Sequence, residues 1–402
     1  MKILITNVYC YMNKGDAGIV VAMVQQLRKV FDNPQITICS LYPDLDKGKY
    51  GDNVRVIAPP IHPIQDGSKL KRLSHNMNGF LKTFIMQKLK IDDNEFLEAL
   101  NSSDLVLSCG GGFMQCRSVK EFLSDFIYHY TQLELVRLVG KKYFIFAQTV
   151  GPFSSFVKVA ITKIMNSAEA VLARESISFN YVKNSYPKAK LFNTADIAFL
   201  LKKEKQPMKF LEDKIKVGVT VREWSFPGTN NRKQAQENYI RAFVEFFDST
   251  MDNNKYEFYL MPQVIGPGKD NDLVYSQKIL NRTKSKNIRI IKDDLDPRKI
   301  KYIYSKMDYF IGTRMHSNIF SLSEYIPCLA ISYDYKTDGI MKMAGQQDYL
   351  IKIENISAKL LNEKFQAMVH DKNYKEKLRL SVPKIKEKAK LNLQIVKDNI
   401  EK

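Results

Sequence analysis

Residues 308–317, DYFIGTRMHS, with their continuation 318–334, NIFSLSEYIPCLAISYD, decide the fold. Asp308 to Gly312 read as a short strand, Gly312 permits a tight exit, and Ser317 to Ile326 repeats apolar residues at helical spacing until Pro327 ends the run before another strand at 328–333. Strand, turn, helix, strand is the unit from which helix-covered parallel sheets are built. The alternation extends in both directions. Strands are expected at 2–8, 35–41, 54–58, 104–108, 143–148, 170–173 and 189–193, then at 215–221, 256–261 and 287–291. Helices are expected at 19–31, 118–139, 236–251 and 297–306. The charged stretch 201–214, LKKEKQPMKFLEDK, carries Pro207 and reads as a linker between two such regions. The sequence thus predicts an α/β protein of two doubly wound, Rossmann-like domains facing a cleft, over 1–203 and 204–372. A Lys-rich helical tail follows over 373–402, with Pro383 near its start.

The 402 residues include 62 Lys plus Arg and 43 Asp plus Glu, for a formal charge of +19, and 45% of them are hydrophobic. So apolar a composition excludes a disordered chain. The positive excess points to acidic partners: nucleic acid, an anionic membrane surface, or phosphorylated small molecules. Nucleic acid is disfavoured, because the basic residues are spread along the chain with no recognised binding motif and no stacking-aromatic pattern. The segment 68–90, SKLKRLSHNMNGFLKTFIMQKLK, has six Lys or Arg, no acid and an apolar complement, which suits either anionic lipid headgroups or an ordinary covering helix. Five scattered cysteines without CxxC spacing predict a reducing compartment, no disulfide framework and no zinc site. The amino terminus lacks a signal-peptide core, and no run approaches the ~18 apolar residues that span a bilayer. A cytoplasmic protein is expected, soluble or peripheral at the inner face of a membrane.

Ligands of open α/β sheets bind beyond the carboxyl ends of the strands, so the polar residues there are the candidates. Arg314 and His316 lie at a strand-to-helix turn, beside the positive end of a helix dipole. A guanidinium can grip a carboxylate or phosphate through paired hydrogen bonds, and a histidine can exchange a proton near neutral pH. A surface arginine beside a core histidine is the competing reading of an isolated RxH. Arg222 ends the strand IKVGVTVRE, and two arginines at one sheet end suit a ligand with two anionic groups, unless Arg222 only pairs with Glu223. Gly110, Gly111 and Gly112 follow the strand DLVLS and can bring backbone N–H groups close to a ligand, or simply turn the chain. Neither GxGxxG nor GxxxxGK[ST] is present, so nucleotide binding is unsupported. In the loop Asn13-Lys14-Gly15-Asp16, Asp16 is either a cap for a helix starting near Ala17, or a general base or sugar-hydroxyl partner. Gln148 leaves the strand YFIFAQTVGPF and offers an amide for hydroxyl recognition.

In order, NKGDAG, SCGGGFMQ, AQTVGPF, ARES with TADIAF, VTVRE and GTRMHS resemble the motifs of the polysaccharide pyruvyl transferase family, from about residue 3 to residue 335. The resemblance implies a GT-B-like fold, phosphoenolpyruvate as donor and co-substrate, no further cofactor, and a saccharide acceptor, free or linked to a polyprenyl diphosphate. It implies that 1–203 is the acceptor side and 204–372 the donor side. His316 is then the catalytic acid or base, with Asp16 as base for the acceptor hydroxyl; Arg222, Arg314, Gly312 and Ser317 bind the donor. Asn13, Gly111, Gly112 and Gln148 face the acceptor, and no metal is called for. Two alternatives stay open: a GT-B glycosyltransferase with a nucleotide-sugar donor, and a non-catalytic saccharide-binding scaffold.

Overall fold

A computed structural model of the chain describes residues 1–64, 68–88, 94–251, 255–265 and 271–401. Leu89 and Lys90 of the basic segment and Lys402 of the tail lie outside the described residues. Contacts divide the chain into two compact units, one of Met1–Tyr11, Ile19–Leu200 and Glu387–Lys402, the other of Met12–Gly18 and Leu201–Lys386.

Among the described residues the first unit is built on eight strands: β1 (Lys2–Val8), β2 (Gln35–Ser40), β3 (Val54–Ile57), β4 (Leu105–Ser108), β5 (Gly111–Cys116), β6 (Tyr143–Phe153), β7 (Ala170–Ala173) and β8 (Leu191–Asn193). Their order is β3-β2-β1-β4-β6-β7-β8, with β5 on β6, and every pairing is parallel. β4 and β7 are buried along their whole length, as strands covered on both faces must be. Leu4, Val106, Ile145 and Val171 from the sheet share one apolar core with Leu100, Leu133 and Ile164 from the helices Glu95–Ser102, Ile127–Val139 and Ser155–Ser167.

Among the described residues the second unit has six strands: β9 (Ile215–Thr220), β10 (Tyr256–Leu260), β11 (Ile288–Ile290), β12 (Tyr309–Gly312), β13 (Cys328–Ser332) and β14 (Leu350–Lys352). All are parallel, in the order β11-β10-β9-β12-β13-β14. Phe246 of the helix Arg232–Ser249 meets Phe258 of β10 and Phe365 of the helix Ala358–His370 at centroid distances of 5.7 and 5.5 Å, joining helices to sheet. Counted from its own first strand, each sheet begins 3-2-1-4. The winding therefore reverses between β1 and β4 and again between β9 and β12, and such reversals are where doubly wound sheets hold ligands.

Several local readings change. Gly111–Cys116, which is not among the expected strands, is β5, because Met114 and Cys116 alternate inward, both fully buried, and pair with Val150 and Phe153 on a β6 that runs to Phe153. The helix expected at 118–139 is a short turn Val119–Glu121, a π-helical segment Phe122–Phe126 and the helix Ile127–Val139. The first helix begins at Lys14, not Ile19, and the helix after β12 begins at Met315, not Ser317. Met12–Gly18 packs with the second unit although it follows β1 in sequence. The tail is one helix, Tyr374–Ile400 with Pro383 inside it. Tyr374 OH donates to Cys328 O at 2.8 Å in the second unit, and Asn392 Nδ2 donates to Ala195 O at 2.8 Å in the first.

Candidate functional site

At the second unit's reversal point, Gly312 of β12 pairs with Thr220 of β9. Thr220 Oγ1 accepts the N–H groups of Thr313 (3.1 Å) and Arg314 (3.3 Å) and lies 2.8 Å from Ser317 Oγ, which donates to Arg314 O at 2.6 Å. Tyr239 OH accepts the Arg222 N–H at 3.3 Å and is 2.8 Å from Thr313 Oγ1. These hydroxyls are buried with their partners supplied by the protein, so they rigidify both strand exits. Ser317 thus holds the turn from within. At Gly312 a side chain would overlap the Asn318 carboxamide, whose Nδ2 donates back to Gly312 O at 3.2 Å.

Arg314 is the residue before the helix Met315–Ser323 and is 7% exposed. Its Nε lies 3.1 Å from both Asp272 carboxylate oxygens and its Nη2 lies 2.5 Å from Oδ1. Asp272, fully buried, also accepts the N–H groups of Gln263 (3.0 Å) and Val264 (3.1 Å). This pairing fixes the guanidinium plane, and breaking such a buried pair by removing one partner costs about 3–5 kcal/mol. Arg222 donates from Nε to Glu223 O at 2.8 Å, and its guanidinium sits 4.5 Å from the Tyr333 ring centre and 5.3 Å from that of Trp224. Lys336 Nζ is 5.9 Å from the same Tyr333 ring. Burial alone would raise the Tyr333 phenol, but Arg222, Lys336 and Arg314 together outweigh it and bring its pKa below the usual phenol value. One phenol therefore reports three cations gathered at one place.

The loop 12–18 joins this assembly. Asn13 Oδ1 accepts the N–H groups of Gly15 (3.1 Å) and Asp16 (3.4 Å), while Asn13 Nδ2 donates to Asp16 Oδ2 at 2.7 Å. The cap of the first helix is therefore Asn13, with Asp16 reciprocating from the third helical position, rather than Asp16 capping a start near Ala17. Lys14 donates its N–H to Gln263 O at 2.9 Å, and its buried Nζ meets Asp294 Oδ1 at 2.5 Å. Gly15 lies flat against His316: a Cβ there would stand 2.5 Å from Nδ1 and 2.8 Å from the histidine Cβ, so glycine alone permits the approach. The amino-terminal turns of the helices Lys14–Val30 and Met315–Ser323 adjoin at that contact, each with the partial positive charge of unpaired N–H groups.

Asn13, Asp16, Arg222, Gly312, Arg314, His316 and Ser317 thus collect in the second unit, whereas Gly111, Gly112 and Gln148 belong to the first. There, Gln148 Nε2 donates to Cys109 O at 3.1 Å, and its buried Oε1 has no hydrogen-bond partner. Gly111, at φ +150°, leaves the backbone next to that oxygen bare. At this unit's reversal point Asn7 Oδ1 accepts from Thr6 Oγ1 (2.9 Å) and Ser108 Oγ (3.1 Å), and the Asn7 N–H donates to Gln132 Oε1 at 2.8 Å. His129 stacks on Phe113 at 4.3 Å, and burial pushes its pKa down to about 3, so it is neutral at physiological pH. Arg174 and Asp196, from ARES and TADIAF, form a fully buried pair at 2.7 Å.

Sequence reasoning missed Asp272, Tyr239, Tyr333, Lys336 and the Asn7–His129 cluster. Tyr333 and Lys336 follow β13, so the strand-end rule reaches them. Asp272 has no local signal, because its partner is forty-two residues away in sequence. Among the described residues no group of three or more His, Cys, Asp or Glu is arranged to hold a metal ion, and no helix is long and apolar enough to cross a membrane.

The chain is 22% identical over 385 residues to the amylovoran biosynthesis protein AmsJ of Erwinia amylovora, covering 89% of each. Among solved structures it is similar to the UDP-GlcNAc 2-epimerase of Neisseria meningitidis bound to UDP-GlcNAc (TM-score 0.58, 10% identity, 99% of this chain and 100% of that one). It is also similar to the spinosyn forosaminyltransferase SpnP (TM-score 0.57, 9% identity, all of both chains). At such low identity these structures establish the GT-B-like class of two parallel-sheet α/β domains and nothing of the chemistry. The family model for polysaccharide pyruvyl transferase matches residues 13–335, from the Asn13 cap through the Arg314–His316 turn to the residues after β13, and the chain belongs to that family.

Proposed function

We propose that the protein transfers pyruvate from phosphoenolpyruvate to two hydroxyls of a saccharide, free or polyprenyl-diphosphate-linked, forming a cyclic ketal in surface-polysaccharide synthesis. The observation that carries this reading is the convergence of Arg222, Arg314 and Lys336 on Tyr333, in the unit where two helix amino termini adjoin at Gly15 and His316. Phosphoenolpyruvate carries a carboxylate and a phosphate, and guanidinium groups with helix termini are the partners such a dianion requires.

In the reaction, His316 donates a proton to the methylene carbon, and the adjacent carbon becomes oxocarbenium-like. One acceptor hydroxyl adds to that carbon and yields its proton to Asp16. The second hydroxyl then displaces phosphate from the same carbon and its proton leaves on the phosphate, giving the ketal and hydrogen phosphate, while the proton held by Asp16 passes back to His316 through solvent and restores both groups. Arg222 and Arg314 stabilise the carboxylate and the departing phosphate, whose charge grows as its bond breaks. Gly111, Gly112 and Gln148, in a neutral setting, bind acceptor hydroxyls. The relative's role in amylovoran biosynthesis supports a polysaccharide as the eventual product.

The test incubates the protein with phosphoenolpyruvate and a panel of soluble and lipid-linked saccharides. Phosphate release matched by an acceptor mass gain of one pyruvate less one water is expected. Phosphate release without that gain, or turnover of a nucleotide sugar in its place, overturns the assignment.

A further inference from the structure

The helix Lys69–Lys88 in the first unit presents apolar side chains to water along one stripe: Leu70 (78% exposed), Leu73, Met77, Leu81 (54%) and Ile85 (57%) recur at three- and four-residue spacing. The face toward the protein adjoins this stripe. Asn76 and Thr83 are buried there, Asn76 Nδ2 donates to Leu123 O at 2.8 Å, and Phe80 packs on Phe84 at 4.7 Å and Tyr130 at 6.2 Å. The helix thus carries one broad apolar arc, and folding covers only one edge of it.

The exposed stripe has neighbours of the same character. Phe122 links Tyr130 (5.7 Å) to Phe156 (6.0 Å), which is 47% exposed, and Val159 on the same helix and Val119 are exposed as well. Around these apolar residues stand the exposed cations Lys71, Arg72, Lys82 and Lys88 of the helix and Arg117, Lys120 and Lys158 beyond it. The helix contains no acidic residue. Glu121, the acid nearest this rim in sequence, accepts the Arg117 N–H at 2.7 Å. An apolar patch rimmed by one sign of charge marks an interaction site, and a basic rim selects an anionic partner with an apolar interior. A bilayer of anionic phospholipid has both, with headgroups for the cations and acyl chains for Leu81, Ile85 and Phe156.

We infer that this face of the first unit docks on anionic phospholipid, lying in the interface rather than crossing it. The inference rests on the surface alone and is independent of the reaction proposed above. Flotation of the full chain with vesicles tests it, comparing phosphatidylcholine with an equimolar phosphatidylcholine–phosphatidylglycerol mixture. Two variants are run beside the wild type: Leu81→Ser with Ile85→Ser, and Lys71→Glu with Lys82→Glu. All four side chains are exposed, so unchanged circular dichroism and thermal midpoint are expected. The wild type should bind the anionic vesicles, release in high salt, and bind neutral vesicles at least about tenfold less; each variant should bind the anionic vesicles at least about tenfold less. Absence of wild-type binding, or binding of either variant at the wild-type level, overturns the inference. So does a wild-type oligomer that the Ser variant dissociates, which would make a second copy the occupant.

Discussion

The two sheets reverse their winding in the same way, yet the residues at the two reversal points differ in charge. Between β9 and β12 stand Arg222, Arg314 on its buried Asp272 partner, and His316, and the charges of Arg222, Lys336 and Arg314 together lower the Tyr333 phenol despite burial. Between β1 and β4 stand Asn7, Ser108, Gln132 and a His129 held neutral by burial, while Arg174 is closed on Asp196. The same topology has been given one cationic end and one neutral hydrogen-bonding end. In the reaction we propose, the dianionic donor is bound in the second unit and uncharged sugar hydroxyls in the first, and the expected effects follow from that difference.

The largest effect is expected at His316. His316→Ala should slow ketal formation about 10²–10⁴-fold, the usual loss when a positioned acid is removed, with donor affinity changing far less. Near-normal turnover in that variant, measured as phosphate release, would remove the proton-transfer role. Next comes Gly15→Ala, which adds one methyl 2.5 Å from His316 Nδ1. Displacing a catalytic group by even an ångström costs about 10²-fold, so this variant should lose rate under conditions where it stays folded, while overpacking the contact costs about 1–3 kcal/mol of stability. A fully active Gly15→Ala enzyme would show that the contact does not position the histidine.

On the neutral side the expected effects are smaller. Gln148→Ala should raise the acceptor KM about tenfold, the value of one lost hydrogen bond in a buried site, and leave the donor KM unchanged. The reverse pattern in initial-rate kinetics would exchange the two roles. The last effect is on stability. His129 titrates near 3 in the folded protein against roughly 6.5 when unfolded, so below pH 6.5 the unfolded state binds more protons and stability falls with pH. Between pH 7 and pH 5 this one group should remove about 2 kcal/mol, and His129→Asn should flatten the unfolding free energy over that window by the same amount. An unchanged pH slope would mean that the imidazole is not held neutral.

Much of this was legible in the sequence where the signal is local. β-branched runs, the Pro327 stop and the GTRMHS turn define strands and helices by neighbours in sequence, and Arg222, Arg314 and His316 stand out as candidates because they follow strands. What was not legible depends on tertiary partners. Gly111–Cys116 becomes a strand only because β6 extends far enough to pair with it. The NKGD loop follows a strand of the first unit but packs with the second, through Gln263, Asp294 and His316. Ser317 and Asn13 carry the residue types expected of ligand contacts, and their side chains instead hold a turn and cap a helix. Their chemistry was visible, but their geometry was not.

Calorimetric binding of phosphoenolpyruvate probes the proposed place of the donor at the charged reversal point. Wild type, Arg222→Ala and Gln148→Ala are compared at low and moderate salt. Arg222→Ala should weaken binding at least about tenfold, by losing one of the paired cations, while Gln148→Ala binds as the wild type does. Unchanged affinity in Arg222→Ala together with a loss in Gln148→Ala would contradict it.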